Sequence, residues 1–302
     1  MKANKILVVG SSNTDMVIKT LHFPSPGETI LGGRFLMNAG GKGANQAVAA
    51  VRLGGLVTFV GKIGNDIFGK QAVQQLEAEG ININFVSVDL VNPSGVALIT
   101  VDSKGENSIV VASGSNGTLS PDDFDKANDE LDESEFVLMQ LEIPIPTVEY
   151  IARIAVQKQK KVILNPAPAA ALADELLQNL YLITPNETEA EILTGVKVTD
   201  ETSAMKAATI LHEKGVEIVI ITMGAAGAFL LINGKSEIIK APKVDAVDTT
   251  AAGDTFNGAL VVALSEGRTI QESIAFANKA AAISVTRIGA QSSVPFRKEI
   301  IN

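Results

Sequence analysis

The sequence predicts an α/β fold: a doubly wound, mostly parallel sheet flanked by helices, with a small β-sheet lid. Two observations carry the main sheet. Short β-branched runs bounded by Gly, Pro or Asn are continuously apolar, as in strands buried on both faces. They alternate with stretches whose apolar residues recur every three or four positions, which is the βαβ rhythm of a parallel sheet. A third observation predicts the lid: the stretches 16–37 and 96–112 break that rhythm with strand-like runs of their own.

The first strand is Ile6–Val9. Within MKANKILVVGSSNTD only four apolar residues follow Lys5 before a glycine turn, too short for the core of a secretion signal, so a cytoplasmic protein is expected. A helix follows over Ala44–Leu53, then a strand at Val57–Val60 and a helix over Ile67–Glu79. In the second lid stretch, VALITVDSKGENSIVVAS has two strand-like runs around Asp102–Asn107 and reads as a hairpin. The alternation resumes with Val137–Leu141, a helix over Pro146–Gln159, and strands at Val162–Leu164 and Leu182–Thr184. Pro185 ends that strand and Asn186 caps a helix over Glu187–Leu193, which is followed by another over Ser203–Glu213. The uncharged run 218–234 is interrupted by Gly224 and Gly227, so it reads as two strands about a turn and not as a membrane span. Two helices close the chain, from Asp254 and from Thr269. With no linker or composition shift, residues 1–302 read as a single α/β domain carrying the lid.

Composition narrows the chemistry. The 302 residues are 46% hydrophobic and 20% charged, which describes a folded chain. A net charge of −9 opposes a dominant role in coating nucleic acid or anionic membrane, and an anionic substrate would need a local remedy. The absence of cysteine excludes disulfides, thiolate catalysis and Cys-ligated metals, and two separated histidines, His22 and His212, exclude a His-rich site.

Glycine-rich segments supply the candidate site. Gly64-Asn-Asp-Ile-Phe-Gly-Lys70-Gln71 nearly matches a phosphate-binding P-loop, but Gln71 stands where a magnesium-binding hydroxyl belongs. Ile67, Val73 and Leu76 also fall on one helical face, which makes Lys70 a solvated helix residue. Gly41-Lys-Gly-Ala-Asn-Gln46 is a broken GxGxxG. Asn38-Ala-Gly-Gly-Lys-Gly-Ala-Asn45 opens into an Ala-rich helix, and two readings stand: helix-start amides, Lys42 and Asn45 around a polyhydroxylated ligand, or a glycine turn for tight packing.

The strongest segment is Val247-Asp-Thr-Thr-Ala-Ala-Gly-Asp254-Thr-Phe-Asn-Gly-Ala259. Small residues precede a helix whose first turn carries an aspartate. Free amides and the helix dipole suit developing negative charge, and a carboxylate beside them could take a proton from an attacking hydroxyl. The plain alternative is an acid that complements the dipole. Ile183-Thr-Pro-Asn186-Glu-Thr-Glu189 and Thr222-Met-Gly-Ala-Ala-Gly227 end strands where nucleotides bind in such folds, or are a helix cap and a hairpin.

Taken in order, VVGSSNTD, FPSPGET, GGKGANQAVAA, MQLEIP, LNPAPA, ITPNETEAEILTG, VDTTAAGDTFNGAL and VTRIGAQSSVP resemble the ribokinase, or phosphofructokinase-B, family of carbohydrate kinases. The resemblance implies a ribokinase-like fold and phosphorylation of the 5-hydroxyl of D-ribose by MgATP, with potassium for full activity. It makes Asp254 the base, with amides of Ala251, Ala252 and Gly253 holding the transferring oxygens. Asn13, Thr14, Asp15, Gly41, Lys42, Gly43, Ala44, Asn45, Glu142 and Asp254 become sugar-binding positions. Asn186, Glu189, Thr222, Met223, Gly224, Ala225, Ala226, Gly227, Gly253, Asp254 and Asn278 fall on the nucleotide side, with Glu189 organising magnesium through water. Asp248, Thr250, Ser284, Arg287, Gly289 and Ser293 lie on the potassium loop, Arg287 through its carbonyl since a guanidinium cannot ligate a cation. The lid implies a homodimer.

Alternatives remain at this point. The turn Gly224–Gly227 lacks the hydroxyl and basic residue common in the family, which implies weaker nucleotide binding. A sugar phosphate would require more basic residues near the site than Lys42 and Arg34, so a neutral pentose fits better. Deoxyribose, fructose or a nucleoside stays open, as does a non-catalytic sugar-binding protein on the same fold. An NAD-dependent oxidoreductase is disfavoured, because no GxGxxG follows Ile6–Val9.

Overall fold

The computed structural model describes residues 5–31 and 33–300. The strands are β1 (Lys5–Val9), β2 (Asn13–Lys19), β3 (Arg34–Gly40), β4 (Leu56–Gly64), β5 (Asn82–Asp89), β6 (Gly95–Val101), β7 (Asn107–Ala112), β8 (Ser134–Met139), β9 (Lys161–Leu164), β10 (Leu182–Ile183), β11 (Ile218–Thr222), β12 (Ala228–Ile232) and β13 (Lys235–Ile239). The α-helices are α1 (Lys42–Arg52), α2 (Ile67–Ala78), α3 (Pro121–Asp125), α4 (Asn128–Glu133), α5 (Ile145–Gln157), α6 (Asp174–Leu177), α7 (Glu187–Thr194), α8 (Glu201–Glu213), α9 (Ala252–Ser265) and α10 (Ile270–Ser284).

Among the described residues, nine strands form the main sheet in the order β13-β12-β11-β10-β9-β8-β1-β4-β5. It is parallel except for the antiparallel β11–β12–β13 edge. Alternation along β1 shows why its run is continuously apolar. Leu7 and Val9 pack with α5 and α8 on one face, and Ile6 and Val8 with α1, α9 and α10 on the other. Helix α9 is buried from Asp254 to Ser265, as expected of a helix apolar on every side.

The sequence pattern missed β5 and β13. Both are edge strands, half-buried or exposed, so neither needs a continuous apolar run. Helix α9 begins two residues before Asp254, at Ala252. Strand β4 leads directly to α2, as a P-loop would require, and Ile67 is exposed and off the buried face that its spacing with Val73 and Leu76 suggested. The P-loop reading fails for another reason: the Asp66 carboxylate caps α2, accepting from the Gly69 amide at 2.8 Å and the Ser94 amide at 2.8 Å. The place a phosphate would take is filled by a carboxylate, and Lys70 is solvent-exposed.

The lid is a separate four-stranded sheet, β3-β2-β6-β7. Its strands reach further than the stretch 16–37 implies, since Asn13 pairs with both Gly40 and Gly95. Gly32, within that stretch, lies outside the described residues. Alternation puts Asn13, Asp15 and Val17 on one face of the lid, and Met16 and Ile18 on the other with Met37, Phe35, Leu98 and Val110. No helix among the described residues is long and apolar enough to cross a membrane.

Candidate active site

The carboxyl ends of the parallel strands share one edge, where an open α/β sheet builds its site. Gly10–Ser12 follow β1, Gln140–Glu142 follow β8, Asn165 follows β9 and Thr184–Asn186 follow β10. The N-termini of α1 and α9 arrive at this edge, and the Asn13 end of the lid sits beside them.

Asp254 is buried at 5% exposure in the first turn of α9. Its Oδ2 accepts from Asn45 Nδ2 at 2.9 Å and its Oδ1 from Gln46 Nε2 at 2.9 Å. The Asn45 Oδ1 is buried without a partner. Ala251, the N-cap, sits at φ 58°, a left-handed conformation that costs a non-glycine residue roughly 1–2 kcal/mol. Among the described residues, the amides of Ala251, Gly253 and Asp254 have no acceptor, while the Ala252 amide reaches Thr249 O at 3.2 Å.

Helix α1 behaves oppositely. Gly41 caps it at φ 88°, and a β-carbon on Gly43 would stand 2.5 Å from the Ser11 amide nitrogen, so these glycines admit β1. The Lys42 amide donates to Glu142 Oε2 at 2.9 Å, the Gly43 amide to Ser11 Oγ at 3.3 Å and the Ala44 amide to Ser11 O at 2.8 Å. Ser11 Oγ in turn donates to Glu142 Oε2 at 2.5 Å. The expectation that α1 amides hold a ligand is therefore corrected: Glu142 and Ser11 take them, as a carboxylate at a helix N-terminus does.

Four acids surround Lys42. Burial lowers its pKa, and Asp254, Glu142, Glu189 and Asp15 outweigh that and leave it above the usual lysine value. Burial first, then Glu142 and Asp254, push Asp15 up to about 7, against Lys42. Burial also raises Glu189, opposed by the Asn186 amide and Lys42. Asn13 accepts from Asn116 Nδ2 at 2.8 Å. Alternation turns the Thr14 side chain to the lid's opposite face, so only its backbone can serve the site. Arg34 is exposed at the far end of β3, paired in register with Lys19.

On the nucleotide side, Asn186 and Glu189 form a capping box, with bonds of 2.8 and 2.9 Å, and Asn186 bridges Thr222. One Glu189 oxygen is thereby spent. Gly224, Ala225 and Ala226 form an exposed turn, closed by the Met223 amide on Gly227 O. Asn278 is buried and donates to Ile239 O at 2.8 Å. In the loop that follows, Asp248 accepts from the Thr250 amide and hydroxyl and from the Gly289 amide at 2.9 Å. Burial raises the Asp248 carboxyl, and these hydrogen bonds outweigh it and hold the group below the usual range. Ser284 and Ser293 turn their hydroxyls back to Ala281 O and Ala290 O, and Arg287 pairs with Glu299. Carbonyls of Thr250, Arg287 and Gly289 accept no hydrogen bond among the described residues. Carbonyl oxygens of this kind are ligands that a hard cation takes. No cluster of three acidic or histidine side chains that could hold a metal occurs among the described residues.

Sequence reasoning missed Ser11, Gln140 and Asn165 just beyond strand ends, Gln46 inside α1 and Asn116 in the turn after β7, all buried polar groups. A glutamine inside the apolar face of an Ala-rich helix was the available signal for Gln46.

A family model described as pfkB family carbohydrate kinase matches residues 3–297. The chain is 51% identical over 296 residues to a ribokinase of Haemophilus influenzae, covering 98% of this chain and 97% of that one. A ribokinase structure from Thermotoga maritima is 42% identical with a TM-score of 0.90, covering 99% and 98% of the two chains. The structure of Arabidopsis thaliana ribokinase with ribose and ATP is 34% identical, with a TM-score of 0.91 and the same coverage.

Proposed function

The chain belongs to the pfkB family of carbohydrate kinases, and from that premise we propose that it transfers the γ-phosphoryl group of ATP to the 5-hydroxyl of D-ribose. The observation that carries the reading is the contrast between the two helix N-termini. The amides of α1 are spent on Glu142 and Ser11, whereas α9 presents unspent amides next to a buried carboxylate. Such a terminus can hold a transferring phosphoryl group while the neighbouring acid deprotonates the acceptor.

In this mechanism the sugar hydroxyl oxygen attacks the γ-phosphorus as the bond to ADP breaks, and the hydroxyl proton passes to Asp254. Amides of Ala251 and Gly253 hold the transferring oxygens, with Ala252 in support. Asn13, Asp15, Lys42, Asn45 and Glu142 orient the sugar, joined by the backbone of Thr14 and Gly41, while Gly43 and Ala44 seat the start of α1 on Ser11. Asn186, Glu189, Thr222, Met223, the Gly224–Gly227 turn and Asn278 line the nucleotide. Mg2+ bound with ATP would neutralise phosphate charge, and K+ held by carbonyls of the Thr250, Arg287 and Gly289 region would firm the loop leading into α9. Asp248 ties that loop together, and Ser284 and Ser293 border it. Residues 1–302 act in this reading as one catalytic unit, a cytoplasmic homodimer joined through its lids.

The test is a coupled ADP-release assay with ribose, 2-deoxyribose, fructose and adenosine, in potassium and in sodium. The reading expects the highest kcat/KM with ribose and faster turnover in potassium. A higher kcat/KM for another acceptor reassigns the substrate, and turnover with none leaves a sugar-binding protein.

A further inference from the structure

We propose that Gln46 is the positioning residue for Asp254, anchoring Oδ1 so that Oδ2 is the oxygen that receives the substrate proton; this rests on Asp254 as the base. Gln46 lies one residue beyond Asn45 on α1 and is fully buried, at 0% exposure. Its Nε2 donates to Asp254 Oδ1 at 2.9 Å and to Asn165 Oδ1 at 3.0 Å, and its Oε1 accepts from Gln140 Nε2 at 2.6 Å. Turning the amide over would set oxygen against the acceptors of Asp254 and Asn165, and nitrogen against the Gln140 donor. One orientation of Gln46 therefore satisfies the network.

The network continues and returns to its starting helix. Asn165 Nδ2 donates to Thr184 O at 3.3 Å, and Thr184 Oγ1 donates to Asn257 Oδ1 at 2.7 Å. Asn257 Nδ2 then donates to the carbonyl of Gly253 at 2.9 Å. The side chain of the base and the backbone just before it are thus braced by the ends of β8, β9 and β10 together. A base gains from such support, because a misplacement of an ångström costs catalysis steeply.

The two carboxylate oxygens are held differently. Every partner in the chain behind Oδ1 is buried protein. Oδ2 is held by Asn45, a sugar-contact position whose own Oδ1 is buried and unpartnered, ready to accept a hydroxyl. Substrate can reorganise the Asn45 side without disturbing the Gln46 side. The charged groups that face Asp254 are Asp15 on β2, Lys42 on α1 and Glu189 on α7. None of them touches Gln46.

The experiment uses the full-length enzyme. Gln46→Met keeps volume and removes both donors, and kcat is expected to fall roughly tenfold to a hundredfold. KM for ribose stays within about threefold, since binding groups are untouched. Gln46→Glu sets a second carboxyl against Oδ1, so the pair shares a proton and the acid limb of the pH–kcat/KM profile moves up by about one unit or more. Gln140→Met, which removes the brace behind Gln46, gives a smaller fall in kcat and covers the case in which the Gln46 variants fail to fold. Wild-type kcat in Gln46→Met, an unmoved acid limb in Gln46→Glu, or full activity in Gln140→Met when the others do not fold overturns the proposal. Normal turnover in Asp254→Asn fails the base assignment itself; loss of turnover there beside full activity in Gln46→Met fails the anchoring role alone.

Discussion

The carboxylate of Asp15 lies against the bare Cα of Gly40, so closely that a β-carbon there would overlap both carboxylate oxygens. Gly40→Ala is therefore expected to displace Asp15 and raise KM for the sugar about tenfold or more, equivalent to overpacking of roughly 1–3 kcal/mol. KM for ATP should be unchanged. Initial-rate kinetics with each substrate varied in turn decides it, and an unaltered sugar KM rejects Asp15 as a sugar contact.

Asp15 also predicts a pH dependence. Burial, Glu142 and Asp254 raise its folded-state value to about 7, above its unfolded value, so ionisation opposes folding. The stability cost is absent below the unfolded value near 4, grows as pH rises, and is complete above about 7. Asp15→Asn should accordingly melt higher than the parent at pH 8 and alike near pH 4. Sugar binding uses the ionised form as acceptor, so ribose affinity in the parent should strengthen towards a plateau above about pH 8 and be flat in the variant. Calorimetry across that range is the check.

Asp254→Asn preserves shape and removes the base. Ribose and ATP binding should persist while turnover falls roughly a hundredfold or more. Binding by calorimetry alongside single-turnover rates separates the two, and near-normal turnover removes Asp254 from the mechanism.

Gly258 on α9 presses on α1. A β-carbon there would stand 2.5 Å from Ala49 Cβ and 2.7 Å from Gln46 O. Gly258→Ala should cost about 1–3 kcal/mol in urea unfolding and lower kcat as well, because this contact sets the distance from α1 to Asp254. Unchanged stability would mean that the helices can part at no cost.

The lid carries Phe35, Met37, Leu98 and Val110 on the face opposite Asp15, between 47% and 65% exposed. Such a ladder is what a second copy would cover. Leu98→Glu should halve the mass measured by light scattering and raise sugar KM. A parent enzyme that is already monomeric rejects the lid-to-lid homodimer.

The central strands and helices were legible because burial on both sheet faces writes itself as unbroken apolar runs, as in Ile6–Val9 and Ile218–Thr222. The edge strands β5 and β13 were not, since most of their residues are only half-buried. At the site, Asp254, Asn45, Asp15, Lys42 and Glu142 stood out as residues in small-residue or motif contexts. Gln46, Gln140, Asn165 and Asn257 did not, because each looks like an ordinary amide until folding brings strand ends together. The occupancy of the α1 amides by Glu142 was equally hidden, since that acid lies a hundred residues along the chain from Lys42.

The lid has a place in time as well as in space. Its strands β2 and β6 are parallel partners separated along the chain by the whole β4–α2–β5 passage, and β7 is exposed along its length. With that strand and the face bearing Phe35 and Leu98 open to water, the lid is expected to exchange its amide hydrogens before the main sheet does. The sugar's wall can thus come apart and reassemble with each visitor, leaving the base and its brace as they were.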